Sequence, residues 1–91
     1  MNNLSKLENC FNVAKETNQK FVGVLVQMSG FEKPELIINE TENFETKLAY
    51  YKKAYDENLV LKTFSGIRII GYAFGSNLDD VYSYLKGNGN I

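Results

Sequence analysis

The sequence predicts one small α+β domain, and three observations carry that prediction. Ile67 to Phe74 is a run of β-branched and aromatic residues, stopped by Ser65-Gly66 before it and Gly75-Ser76-Asn77 after it, which reads as a buried strand. Phe21 to Met28 is a second such run, rich in valine and apolar on both faces. The remaining segments repeat their apolar residues every three or four positions, as amphipathic helices do. Ninety-one residues fill one domain, 1–91. A charged fraction of 23% with net charge −1 fits a folded globule rather than a disordered chain.

The first helix is drawn by Leu4, Leu7, Phe11 and Ala14, with Cys10 and Val13 flanking the stripe and Lys6, Glu8, Asn12, Lys15 and Glu16 opposite. Asn2 or Asn3 is its expected N-cap, because a short amide side chain can accept from the first free backbone N–H groups. After the strand at Phe21–Met28, the loop Ser29-Gly30-Phe31-Glu32-Lys33-Pro34 turns the chain into a short peripheral strand, Glu35–Asn39. Thr41 or Asn43 should cap a second helix whose buried stripe is Phe44, Leu48, Tyr51 and Tyr55, and this helix is expected to continue into Leu59-Val60-Leu61.

Strict alternation in the third strand puts Ile67, Ile69, Gly71 and Ala73 on one face and Arg68, Ile70, Tyr72 and Phe74 on the other. Gly71 inside it marks a bulge or close helix packing. A last helix begins at Ser76-Asn77-Leu78-Asp79-Asp80, buries Leu78, Val81, Tyr82 and Leu85, and stops at Gly87, with 86–91 as a loose tail. The element order is α-β-β-α-β-α. The expected sheet is three-stranded and mixed, in the order 2-1-3, with helices mainly on one face.

Several functions lose their usual residues. Cys10 is the only cysteine, so no intrachain disulfide forms, and the absence of histidine removes the commonest general base and metal ligand. No N-terminal leader pattern and no apolar run of about 20 residues occurs, which gives the expectation of a cytoplasmic protein without a membrane anchor. The segment Gly71 to Asn77 lacks the lysine and the spacing of a phosphate-binding loop.

The topology gathers Asn39, Glu42, Ser76, Asn77, Asp79 and Asp80 on one rim, together with Glu40, Thr41 and Asn43. Oxygen ligands suit calcium or magnesium, but the spacing matches no EF-hand, and caps with solvated acids account for these residues. No metal and no cofactor is therefore expected.

The aromatic residues point elsewhere. Tyr51, Tyr55 and Tyr82 fall on core stripes, whereas Phe31, Tyr50 and Tyr84 do not, and exposed aromatics beside a lysine such as Lys53 make good protein-binding anchors. Lys47, Lys52, Lys53 and Lys62 form the only local basic density, and the near-neutral total counts against nucleic acid. A sheet face left bare by the helices would favour a homodimer. Nine lysines against one arginine, with many asparagines, match the codons of an AT-rich genome.

The segment Phe21 to Phe74 contains Phe-Val-Gly-Val-Leu-Val, Gly-Phe-Glu-Lys-Pro-Glu-Leu-Ile-Ile-Asn, Lys-Leu-Ala-Tyr-Tyr-Lys-Lys-Ala-Tyr and Ile-Arg-Ile-Ile-Gly-Tyr. In these it resembles small uncharacterised proteins of low-GC bacteria and their prophages. The resemblance supplies no catalytic residues. It implies an accessory role in a phage or other mobile element, such as inhibition of a host defence protein by binding. The expected function is a non-enzymatic protein-interaction module; the alternative is a small ligand- or nucleic-acid-binding regulatory domain.

Overall fold

The computed structural model of the chain describes residues 2–87. Helix α1 (Asn3–Glu16) starts where Asn2 Oδ1 accepts from the Ser5 N–H at 2.8 Å, so the earlier of the two expected caps is used. Strands β1 (Phe21–Met28) and β2 (Glu35–Glu40) form the hairpin. A 3-10 turn at Thr41–Asn43 leads into α2 (Phe44–Ala54), then come β3 (Ile67–Gly75) and α3 (Leu78–Gly87). The order α-β-β-α-β-α and the strand order β2-β1-β3 are those read from the sequence. Among the described residues no helix is long and apolar enough to cross a membrane.

The sheet departs from expectation in being antiparallel throughout rather than mixed. β3 does run in the direction of β2, but β1 lies between them, so no parallel ladder forms. The helices also divide differently. α1 and α2 share one face, burying Leu7, Cys10, Phe11, Ala14, Phe44 and Tyr51 against Val22, Val24, Val26 and Ile69. α3 covers the other face with Val81 and Leu85 on Leu25 and Ala73. β1 is thus buried on both sides, and the bare face that would have favoured a homodimer is shielded by α3.

Alternation in β3 is broken once. Val26 pairs with Ile69 but Leu25 pairs with Gly71, so Ile70 is an extra residue, a β-bulge. Gly71 marked the place correctly. The consequence for the side chains is a shift by one: Tyr72 and Phe74 join Ile69 on the α1 face, opposite Val24 and Val22, and Gly71 and Ala73 turn to the α3 face.

α2 does not continue to Leu61. It ends at Ala54, Tyr55 is extended, and Asp56 folds a tight loop by accepting from the Asn58 and Val60 N–H groups at 2.8 and 3.1 Å. Leu59 takes a left-handed φ of 63° there and is buried. The loop then lies beside β3: Ile69 N–H donates to Leu59 O and Leu61 N–H to Ile67 O, both at 2.9 Å. Neither expected cap of α2 works as one. Asn43 makes no side-chain capping bond, and the Thr41 hydroxyl turns to the carbonyls of Gln19 and Lys20, both at 2.9 Å.

In α3, Leu78 and Tyr82 are exposed and only Val81 and Leu85 are buried, so its apolar face is narrower than the spacing suggested. The expected loose tail is helical at Lys86 and Gly87, and 88–91 lie outside the described residues.

Candidate functional site

The expected rim exists as a place but not as a cluster of ligands. Glu40 and Gly75 both pair with Phe21, so β2 and β3 do finish at the same end of the sheet, one on either side of β1. Asn39, however, points inward and is buried. Its Nδ2 donates to Val22 O at 3.0 Å, and its Oδ1 accepts from the Tyr51 hydroxyl at 3.4 Å. A buried amide is stable only with such partners, so this residue serves the core.

Ser76 Oγ donates to Gln19 Oε1 at 2.8 Å, and Asn77 Oδ1 accepts from the Asp80 N–H at 2.8 Å, starting α3. Asp79 and Asp80 are exposed in the first helical turn, where negative charge is favourable. The exposed Glu40 carboxyl is raised by a hydrogen bond to Glu42 and by the repulsion of that neighbour. Among the described residues no three His, Cys, Asp or Glu side chains are grouped to hold a metal ion.

The anchors read from the aromatic pattern are exposed but dispersed. Phe31, 62% exposed, sits at the hairpin tip beside a hollow lined by Gln27, Ser65 and Arg68. Tyr50 is on α2, half-exposed, with its ring 5.3 Å from that of Tyr51. Lys53 is exposed on the same helix. Its neighbour Lys52 is tied to Glu8 at 2.8 Å, across a solvated α1–α2 contact of small energetic weight. Tyr84 is 58% exposed and belongs to a different hollow altogether.

That hollow has the more informative geometry. It has a volume of about 410 Å³ and is lined by Lys6, Asn9, Cys10 and Val13 of α1, by Tyr72, Ala73 and Phe74 of β3, and by Tyr84 of α3. α1 and α3 lie on opposite faces of the sheet, so a hollow touched by both has to wrap around the sheet's edge. The edge in question is that of β3, whose other side is occupied by β1.

The loop at Leu59–Leu61 covers this edge at Ile67 and Ile69; beyond it, the backbone of 70–75 has no backbone hydrogen bond outside the β1 ladder among the described residues. Lys6 makes no ion pair among the described residues. The sequence reading missed Lys6, Tyr72 and Phe74 as a set. Lys6, Cys10 and Val13 do share a helical stripe, but Tyr72 and Phe74 reach it only because the bulge turns them over.

Cys10 lines the hollow with its thiol protonated near neutral pH. Burial pushes its thiol up from the ordinary 9.0 to about 12. Tyr55 is likewise pushed up from 10.0 to about 12, chiefly by burial, and Tyr51 is raised for the same first reason. All three carry a folded pKa above the unfolded one, so their contribution to stability is complete below pH 9.0 and is lost as pH climbs toward about 12. The urea midpoint should therefore hold from neutral pH to about 9 and then fall, with Cys10→Ala delaying the onset toward the tyrosine range near 10. A midpoint unchanged to pH 12 would show that these groups are not shielded from water.

No protein-family model, curated protein or solved structure matches the chain.

Proposed function

We propose that the chain is a non-enzymatic, cytoplasmic protein-interaction module that holds its partner in the hollow where α1, the uncovered part of β3 and α3 meet. One observation supports this reading above the others: Tyr72, Phe74 and Tyr84 converge there around Lys6, an arrangement of aromatic anchors and one charge. Phe31 and Tyr50 are single exposed rings by comparison. The lysine- and asparagine-rich composition and the resemblance to small prophage proteins favour a mobile-element accessory role, in which binding inhibits a host defence protein.

The test is affinity capture with the tagged chain from cells of a low-GC bacterium. One protein should be enriched in stoichiometric amount. Tyr84→Ala should reduce its recovery about tenfold, the weight of a good anchor, while Phe31→Ala leaves it unchanged. Enrichment of nucleic acid or a small molecule with no protein would replace this reading by a ligand-binding one.

A further inference from the structure

We infer that the uncovered part of the β3 edge is a docking site for an extended peptide segment carrying an acidic residue, added as a fourth strand beside Tyr72 and Phe74. The inference rests on the binding-module reading and names its partner's chemistry. It follows from backbone polarity. Ile69 N–H and Ile67 O point away from β1, because they bond to Leu59 and Leu61. Outward and inward residues alternate along a strand, and the bulge at Ile70 shifts the alternation by one. Beyond it Gly71, Ala73 and Gly75 face β1, and Tyr72 and Phe74 face outward. Two N–H groups and two carbonyls are thereby presented on the floor of a hollow with aromatic walls.

Another extended chain satisfies such a row, which is how peptides add to sheet edges, while alternate side chains supply specificity. Tyr72 to Phe74 spans about 7 Å, so the paired segment is short, and the walls must supply the rest of the affinity. The walls also decide the charge. Lys6 is the one charged residue lining the hollow and makes no ion pair among the described residues. An acid on the incoming strand complements it, whereas a second copy of this chain would bring another Lys6 to the same edge.

The experiment begins with selection from a random seven-residue phage-displayed peptide library on the full-length chain. The enriched peptide is then synthesised and titrated while backbone amide exchange is followed by NMR. The enriched sequences should combine β-branched residues with Asp or Glu. In the free chain the Tyr72 and Phe74 amides should exchange fast, and at saturation they should slow at least about tenfold. N-methylation of alternate peptide amides should abolish binding.

Lys6→Glu should weaken binding about fivefold, and exchanging the peptide's acid for lysine should restore it to that variant. Failure to enrich any peptide, or shifts confined to other amides, overturns the inference. So does protection of Tyr72 and Phe74 in the free chain: a protection that grows with concentration assigns the edge to a second copy, and one that does not assigns it to the chain itself. A captured protein partner that is indifferent both to Lys6→Glu and to competing peptide overturns the strand-edge inference and leaves the binding-module reading standing.

Discussion

Phe11→Ala should lower the unfolding free energy by about 3–5 kcal/mol, the range for removing a fully buried phenylalanine. Phe11 is 2% exposed and stands where α1, α2 and the sheet meet. Its ring meets Phe44 edge-on with centroids 5.5 Å apart and Tyr51 at 6.0 Å, so the truncation removes both aromatic contacts along with the buried area. A domain of this size has a total stability of only about 5–10 kcal/mol, and the variant should therefore be partly unfolded at 37 °C. Urea denaturation followed by circular dichroism measures this directly. A loss below about 1 kcal/mol would mean that the α1–α2 layer closes over the gap, and that the two helices are less fixed on the sheet than their packing implies.

The same contact shows why much of the fold was legible in the sequence. Leu7, Phe11 and Ala14 on α1, and Phe44 and Tyr51 on α2, lie at helical spacing, and each is buried as its spacing requires. The two apolar runs gave β1 and β3 because a strand covered on both faces has no polar side to show. Strand order did not follow from the same requirement alone: β1 and β3 are both apolar on two faces, only one of three strands can have a neighbour on each side, and that strand is β1.

What failed to be legible depends on contacts distant in sequence. The mixed sheet is the exception, since a third strand that runs with β2 but lies beside β1 pairs antiparallel, as the order 2-1-3 already required. Leu59-Val60-Leu61 is apolar enough for a helix, but its backbone finds partners on β3 and its turn is held by Asp56. Sequence reasoning places Asn39 on the rim because the topology brings the exit of β2 there; its bonds to Val22 and Tyr51 make it a core amide.

The candidate site was the least legible of all. Tyr84 was recognised as lying off its helix's core stripe, but strict alternation in β3 assigned Tyr72 and Phe74 to the wrong face. One unpaired residue, Ile70, accounts for the error. The site therefore depends on a bulge, and substitutions that restore a regular ladder should damage the hollow more than the fold.

Gly23→Ala tests how closely α3 is held to the other face, and should cost about 1–3 kcal/mol. A Cβ at Gly23 would lie 2.5 Å from Val81 Cγ1 and 3.1 Å from Leu36 Cδ1. Val81 is fully buried and β-branched, with one favoured rotamer in a helix, so it cannot swing aside and α3 must lift. Replacing glycine in a strand would by itself favour folding by about 0.5–1 kcal/mol, which makes a net loss the more telling result. The pair Gly23→Ala with Val81→Ala separates the causes. Each single change should destabilise, the first by crowding and the second by a cavity, and together they should cost less than their sum because the new methyl enters the space the valine leaves. Strict additivity in urea denaturation would show that α3 moves freely over the sheet. Coupling would show that this helix, which also carries Tyr84 to the hollow, is fixed in place by a glycine on the central strand.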